Sequence, residues 1–278
     1  MSHVSSSDLP GLLKLLHTNV TNMSGVNCAT AINKLATRFG STSRSRIKSH
    51  KSFRHLVSHV ETQSLHDPSF LPARGFANVL HGLAVLGFKS GPLLRRLDER
   101  AGMVVSEAGG QELANIAYAL GRLGGGTASL GGEEFLRCLD GDYSAVKTLE
   151  REGNGQEVSN VVWAFARSGV RCENLPGIFR DPGLMGRLRG DGHAVASAVW
   201  SLATIGEDDA ARVFIRGTCD TEETRKALTR GGAQSISNAA WGVATVGGER
   251  GAFWEVRQKI DHGKVGHLAP KRGSPARN

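Results

Sequence analysis

The chain has 278 residues, of which 40% are hydrophobic and 22% are charged. This balance is typical of folded domains and excludes wholesale disorder. No apolar run approaches the roughly 20 residues that a membrane-spanning helix needs. No basic segment followed by an apolar one predicts a secretory signal. We therefore expect no membrane among the partners of this protein.

The net charge of +8 is concentrated at the two ends of the sequence. Residues 1–60 hold eight Lys or Arg and one acidic residue, which makes +7. Residues 257–278 hold six and one, which makes +5, so the part between them is mildly acidic at −4. Basic ends indicate a polyanionic partner, such as nucleic acid or an anionic surface. For 257–278 a solubilising tail is an equal alternative.

The segment DLPGLLKLLHTN predicts an N-terminal helix, so that residues 1–26 form a capping segment. The sequence then repeats itself. Six copies of a 14-residue motif end at glycines 40, 87, 124, 169, 206 and 247, at intervals of 47, 37, 45, 37 and 41 residues. An Asn-like position lies nine residues before each glycine, and a Trp-like position follows it by three. Self-similarity of this kind indicates a helical repeat array, which we place at 27–250.

Each motif copy is expected to form a helix that is apolar on nearly every side and ends just before its glycine. Amphipathic segments between the copies, such as GPLLRRLDERAGMVVSE, predict one partner helix each. A repeat is then a helical hairpin that buries its apolar faces by stacking on its neighbours. The predicted fold is an all-α solenoid of about six hairpins. A capping helix and a basic disordered tail are expected over 251–278.

The pattern Q-x-x-[AS]-N-x-x-[WY]-A-x-[AG]-x-x-G is clearest at 111–124, 156–169 and 234–247. It resembles the octotricopeptide-type helical repeats of organellar RNA-binding proteins from algae, apicomplexans and other protists, which often carry a C-terminal RAP domain. The resemblance covers roughly 27–250 and implies a right-handed, armadillo- or PPR-like superhelix. It also implies binding of single-stranded or ribosomal RNA in a mitochondrion or plastid. Transcript stability, processing, translation and ribosome assembly are the roles that it suggests.

Helical spacing places one amide, one ring and, in several copies, one base on a single face of each motif helix. We call this set of side chains the polar seam. The first copy contributes Asn27, Lys34 and Arg38. The other copies contribute Arg74, Asn78 and His81; Gln111, Asn115, Tyr118 and Arg122; Gln156, Asn160, Trp163 and Arg167; His193, Ser197, Trp200 and Thr204; and Gln234, Asn238, Trp241 and Thr245.

Two interpretations of the polar seam are open. Single-stranded RNA can stack its bases on the rings, bond to the amides and meet the basic groups with its phosphates. Alternatively, the Trp side chains fill the core between repeats, and the amides bond backbone across the hairpin. For the repeated Asn and Trp positions the second interpretation is favoured, because a residue shared by most repeats cannot discriminate bases. We therefore expect Trp163, Trp200 and Trp241 to be largely buried.

Basic residues that differ between copies are better candidates for contact with RNA. On the motif helices these are Arg38, Arg122 and Arg167. The partner segments carry the pairs Arg95 and Arg96, Arg187 and Arg189, and Arg225 and Lys226. For the partner segments a merely solvated charge is the alternative.

The densest basic cluster is SRSRIKSHKSFRH, residues 43–55, which holds no acidic residue. Phe53 and two histidines are interleaved with the basic side chains, a composition that suits contact with phosphates. An acid-poor, Ser-rich presequence is the competing interpretation. It is disfavoured because the first motif copy already lies at 27–40. The candidate phosphate contacts are Arg44, Arg46, Lys48, Lys51 and Arg54.

No motif indicates catalysis. The segment GGGTASLGG, 124–132, lacks the GK[ST] of a phosphate loop, and there is no GxSxG. Four cysteines without CxxC spacing give no zinc pattern and are expected to be reduced thiols. We predict a binding module rather than an enzyme, with no metal, cofactor or small-molecule substrate. The rival class is a scaffold that binds other proteins, as armadillo-like solenoids bind peptides.

Overall fold

A computed structural model describes residues 8–124 and 131–247 of the chain, and within them every regular element is a helix. The all-α class expected from the repeats is therefore confirmed. Short 3-10 helices occupy Val20–Asn22 and Leu175–Arg180. The α-helices are α1 (Leu9–Asn19), α2 (Gly25–Ser49), α3 (Lys51–His66), α4 (Ala73–Leu86), α5 (Gly91–Glu99), α6 (Ala101–Glu107), α7 (Gly110–Gly124), α8 (Glu133–Gly141), α9 (Tyr143–Glu152), α10 (Gly155–Ser168), α11 (Pro182–Leu188), α12 (Gly192–Ile205), α13 (Asp208–Thr218), α14 (Glu222–Arg230) and α15 (Gly232–Thr245).

The six motif copies form six helices that pack on one another in chain order. Helix α2 contacts α4, α4 contacts α7, α7 contacts α10, α10 contacts α12, and α12 contacts α15. We call these helices the motif layer. The helices between them also contact one another, for example α3 with α5, α5 with α8, and α11 with α13, and we call them the partner layer. Each motif helix therefore has motif helices beside it and partner helices behind it.

Small residues allow the motif helices to approach closely. A Cβ atom built on Gly82 would lie 2.8 Å from Ile32 Cγ2 of the preceding motif helix. A Cβ atom on Gly242 would lie 2.7 Å from Val199 Cγ1 and 2.9 Å from its carbonyl oxygen. These separations are shorter than van der Waals contact, so only glycine fits at either position. The Gly or Ala positions of the motif thus set the distance between neighbouring helices.

The glycines that end the motif copies lie at helix ends, as predicted. Gly87, Gly169, Gly206 and Gly247 have φ values of 63°, 69°, 84° and 70°, a left-handed conformation that favours glycine. Gly124 is the last residue of α7. The first copy differs, because its Gly40 is buried in the middle of α2, and the helix continues to Ser49 with a kink at Ser43.

The expectation of one partner helix per repeat was wrong. Between the second and sixth copies each partner segment contains two short helices, so that a repeat is a three-helix unit and not a hairpin. The break comes from capping residues. Asp142 accepts a hydrogen bond from the Ala145 backbone N–H at 2.9 Å, and Thr221 accepts one from Thr224 at 3.2 Å. A side chain that caps a new helix start ends the preceding helix.

Carboxylates bonded to backbone N–H groups join consecutive partner segments. Asp140, at the end of α8, is 6% exposed and accepts backbone hydrogen bonds from three consecutive residues of the next segment. Asp98 occupies the equivalent place in α5 and accepts from Gly132 at 2.7 Å and Phe135 at 3.2 Å. Because a carboxylate bonded to backbone N–H groups is held in one geometry, each fixes where the next repeat begins.

Three of the four cysteines are buried, and none forms a disulfide. Burial raises the pKa of Cys28 to about 11 and that of Cys219 to about 12. Burial also raises the pKa of Cys172, with a further contribution from Asp140. These thiols are therefore protonated at neutral pH and act as small apolar side chains, as expected from their spacing.

The predicted N-terminal capping segment contains α1, whose buried Leu9, Leu13 and Leu16 face α3. The predicted cap and tail at 251–278 lie outside the described residues. Across 8–124 and 131–247, no helix combines the length and the apolar character needed to cross a membrane.

Candidate functional site

The rings of the polar seam lie beside one another along the surface of the motif layer. The ring of Tyr118 lies 5.8 Å from that of His81 and 5.7 Å from that of Trp163, and the second pair is stacked at 29°. Trp200 and Trp241 are 6.2 Å apart. We call these five residues the aromatic row. It arises because equivalent positions of consecutive motif helices meet.

The expectation that the three tryptophans are largely buried was wrong for Trp241. Trp163 and Trp200 are half-buried, and Trp241 is 48% exposed. The inner face of a motif helix is filled by other side chains, such as Val162 and Phe165 in α10, which are fully buried. The Trp position is one step around the helix from this face. The row therefore lies at the surface, although the indole of Trp163 also packs against Gly121 of α7.

The amides of the polar seam do not bond backbone across the repeat, contrary to the favoured structural interpretation. Gln234 Nε2 donates to Asn238 Oδ1 at 2.8 Å within one helix. The other seam amides make no hydrogen bond to the described residues; they are Asn78, Gln111, Asn115, Gln156 and Asn160. Gln111, Gln156 and Gln234 are exposed, and the asparagines are half-buried. The seam therefore presents unused donors and acceptors to solvent.

Two grooves bring the predicted residues together. The first, the amide groove, has a volume of about 370 Å³ and is lined by His81, Asn115, Tyr118, Gln156, Ser159, Asn160, Asp191, His193 and Ala194. The second, the indole groove, has a volume of about 440 Å³ and is lined by Gly121, Arg122, Trp163, Arg167, Trp200 and Asn238. Residues from four consecutive motif helices thus converge in each groove. Arg38, Arg74, Asn78, Gln111 and Gln234 line neither groove.

The sequence motifs did not single out two of the polar residues that line the amide groove. Asp191 caps α12 by accepting from the backbone N–H groups of His193 and Ala194, both at 3.0 Å. Ser159 donates to the Gln156 carbonyl at 3.2 Å. The signal for Asp191 was present, because an Asp two residues before a motif copy is typical of an N-cap. The amide groove therefore contains one carboxylate.

Arg122 is held in place by the motif layer. Its Nε donates to the Ala84 carbonyl at 2.9 Å, and its Nη1 donates to the Tyr118 hydroxyl at 2.7 Å. The guanidinium also lies 5.9 Å from the centre of the Tyr118 ring. Arg167 makes no hydrogen bond or ion pair to the described residues. The indole groove thus combines one hydrogen-bonded cation, whose Nη2 is still available, with one cation that makes no bond to the described residues.

His81 is neutral at physiological pH. Burial lowers the pKa of its imidazole below the ordinary value of 6.5, and the positive charge of Arg122 lowers it further. A neutral imidazole keeps one nitrogen as an acceptor. Because the folded state binds a proton at His81 less readily than the unfolded state does, the free energy of unfolding falls as pH drops below about 6.5.

We expect an NMR titration to show His81 changing protonation below pH 6.5. Arg122→Gln should raise the pKa of His81, because it removes the neighbouring positive charge. The pKa should still stay below the ordinary value, because burial is the larger cause. A pKa at or above 6.5 in the unsubstituted protein would contradict this description of the groove.

The basic cluster 43–55 is folded into the end of α2 and the start of α3. Phe53 is fully buried and packs edge-to-face on Phe88 at 5.3 Å. The ring of His50 accepts a hydrogen bond from the Ser52 backbone N–H at 3.2 Å and caps α3. The interpretation of Phe53 as an aromatic group interleaved for binding was therefore wrong. Only basic side chains of this cluster remain as contacts.

The five candidate phosphate contacts fall into two groups. Lys48 Nζ donates to the Gly87 carbonyl at 3.4 Å, and Arg54 Nε donates to the Lys48 carbonyl at 3.1 Å. Arg44, Arg46 and Lys51 are exposed and make no ion pair or hydrogen bond within the described parts of the chain. Arg44 lies near Gly87, at the end of α4. Of these three cations, Arg44 therefore stands beside the end of a motif helix.

Most of the paired basic residues on the partner segments bond to other groups of the protein. Arg96 donates to the Ser64 carbonyl at 2.9 Å, and Arg189 donates to the Gly217 carbonyl at 2.8 Å. Arg187 bonds the Gly153 carbonyl at 3.1 Å. Arg225 and Lys226 both pair with Glu222. These bonds favour a structural role for the five residues, because their donors already meet helix ends and a carboxylate. The side chain of Arg95 makes no such bond among the described residues, and its contact with a ligand stays a prediction.

Comparison with known proteins identifies no family for this chain. No protein-family model matches it, and no curated protein matches it significantly. Among residues 8–124 and 131–247, no group of three His, Cys, Asp or Glu side chains is placed to hold a metal ion. The proposed function therefore rests on the geometry of the grooves.

Proposed function

We propose that the helices form a right-handed α-solenoid whose motif layer binds single-stranded RNA, either a free transcript or ribosomal RNA. The observation that supports this most strongly is the aromatic row. Its rings stand at the surface, flanked by amides without protein partners and by arginines. Proteins that bind single strands use the same three kinds of group, for stacking, for base edges and for phosphates.

In α7 and α10, the order of groups along the helix corresponds to the base edges, base faces and phosphates of a single strand. Amides lie in the first half of the helix, the ring lies in the middle, and Arg122 or Arg167 lies near the end. A base stacked on the row can reach an amide on one side, while its phosphate reaches an arginine on the other. The amides, which occur in most copies, bond to bases without regard to sequence. The grooves differ between repeats and therefore provide the selectivity.

The repeat pattern supports a mitochondrial or plastid location, through its resemblance to octotricopeptide-type repeats. The same resemblance supports a role in RNA stability, processing, translation or ribosome assembly. In this proposal the protein is a binding module with no catalytic step, so its effect comes from occupying or presenting RNA. The unpaired cations Arg44, Arg46 and Lys51 extend the site at the N-terminal end of the motif layer.

The triple variant Arg44→Ala, Arg46→Ala, Lys51→Ala should bind RNA of unrelated sequences more weakly and almost uniformly. Phosphate contacts are independent of sequence, and each one on a single strand adds about 0.7 to the slope of log affinity against log salt. The variant slope should therefore be smaller by about 2. The measurement is fluorescence anisotropy of labelled 20-nucleotide oligomers at several salt concentrations.

A matched control removes the same charge from the partner layer. Arg151, Arg216 and Arg230 are exposed and make no ion pair among the described residues. Changing these three to Ala should leave both the affinity and the slope almost unchanged. Equal losses in both triple variants would show that net charge alone binds RNA. No binding by the unsubstituted protein at low salt would reject RNA and favour the protein scaffold.

A further inference from the structure

The aromatic row is interrupted at one place. The rings of His81, Tyr118 and Trp163 contact in sequence, and those of Trp200 and Trp241 contact each other. Between Trp163 and Trp200 there is no ring contact, although these residues occupy equivalent positions on neighbouring helices. The indole groove, with its volume of about 440 Å³, lies at this interruption and is lined by both indoles.

Donors predominate among the polar groups that line the indole groove. Arg122 and Arg167 can only donate hydrogen bonds. The Oδ1 atom of Asn238 accepts from Gln234 at 2.8 Å and keeps one lone pair, and its NH₂ group is free to donate. No carboxylate lines this groove, in contrast to the amide groove with Asp191. The ligand that fits is therefore flat, aromatic and rich in acceptors, with a negative charge near one edge.

We propose that the indole groove is a preformed site for one nucleobase of a bound RNA strand. The base enters between Trp163 and Trp200, and the adjoining phosphate meets Arg122 and Arg167. The NH₂ group of Asn238 donates to an acceptor on the base edge. The volume of the groove is within the range of small-molecule sites. This inference rests on the proposed RNA-binding function and names the place where stacking contributes most.

The rest of the aromatic row cannot take a base in this way without rearrangement. His81, Tyr118 and Trp163 are already 5.7–5.8 Å apart between centres, so insertion would first have to separate two rings in contact. The indole groove needs no such separation, because its two indoles stand apart in the free protein. A site that is open before binding avoids the cost of ordering it.

The test uses a 12-nucleotide oligoadenylate with one central 2-aminopurine, whose emission is quenched when the base stacks. Binding to the unsubstituted protein should quench this emission. Trp163→Leu and Trp200→Leu should each weaken binding roughly tenfold, because one stacking face is lost, and each should reduce the quenching. Trp163→Phe should retain most of the affinity and most of the quenching, since a smaller ring remains. Tyr143→Leu removes a ring that is 74% exposed on α9 in the partner layer. This variant should change neither the affinity nor the quenching.

Far-UV circular dichroism establishes that each variant is folded. Folded Trp163→Leu and Trp200→Leu proteins that bind and quench like the unsubstituted protein would overturn the base site while leaving RNA binding intact. An unsubstituted protein that binds no oligoadenylate would overturn the proposed function itself. Adenosine monophosphate bound as tightly as the 12-mer would also overturn the inference, because the groove would then serve a free nucleotide.

Discussion

Asp140→Ala should lower the free energy of unfolding by about 4 kcal/mol, the largest effect that we expect from one polar residue. The carboxylate accepts from the backbone N–H groups of Glu173 at 2.8 Å, Asn174 at 3.1 Å and Leu175 at 2.8 Å, and from Cys172 Sγ at 3.4 Å. Its removal leaves these donors without their partner in a turn where Cys172 and Leu175 are buried and Glu173 and Asn174 are exposed. Each buried, unsatisfied donor costs about 1–3 kcal/mol.

Asp142→Ala is the matched control for this prediction. Asp142 lies two residues away and caps α9 through one backbone bond, to Ala145 at 2.9 Å. Loss of a single N-cap costs about 1 kcal/mol. Urea unfolding followed by circular dichroism measures both variants. Equal losses would mean that Asp140 acts as an ordinary cap and does not join consecutive repeats.

Gly192→Ala should destabilise the protein by about 3 kcal/mol, although it adds one methyl group. A Cβ atom at Gly192 would lie 2.2 Å from the Ala227 carbonyl oxygen and 2.5 Å from the Leu228 nitrogen. Both are backbone atoms of α14, so no side-chain rotation relieves the clash. Helix α12 must then move away from α14, which separates the motif layer from the partner layer at this repeat.

Gly186→Ala should instead raise the free energy of unfolding. Gly186 lies within α11 and is exposed, and a Cβ atom there meets no atom within 4 Å. Alanine is favoured over glycine inside a helix by roughly 0.5–1 kcal/mol, because the unfolded chain loses freedom. Thermal melting should therefore show a lower Tm for Gly192→Ala and a higher Tm for Gly186→Ala. A shift of both in the same direction would contradict the tight packing at Gly192.

The repeat framework could be predicted from the sequence because its signals are local. A glycine at a fixed distance from an Asn-like position marks a helix end, and Gly87, Gly169 and Gly206 fulfil this through left-handed φ values. The spacing of four and three residues also placed the seam side chains on one face. Amides, rings and arginines from different copies accordingly line the same two grooves.

The errors concern relations between helices. An amphipathic period continues through both short helices of a partner segment, so the break at Asp142 was not recognised from hydrophobic pattern alone. The spacing that places Trp163 on a face does not say whether a neighbouring helix covers that face. The partners of Asp140 lie 32–35 residues away, at a distance that no local pattern reveals. Phe53 was misread for the same reason, because its burial depends on Phe88.

Crosslinking of the full chain to uniformly labelled single-stranded RNA, followed by mass spectrometry, tests the central claim most directly. Crosslinks should fall on the aromatic row, in peptides that contain Tyr118, Trp163, Trp200 or Trp241. Tyr143, the exposed ring of the partner layer, should remain unlinked. Crosslinks confined to the partner layer, or an absence of crosslinks at low salt, would contradict the claim that the motif layer binds RNA.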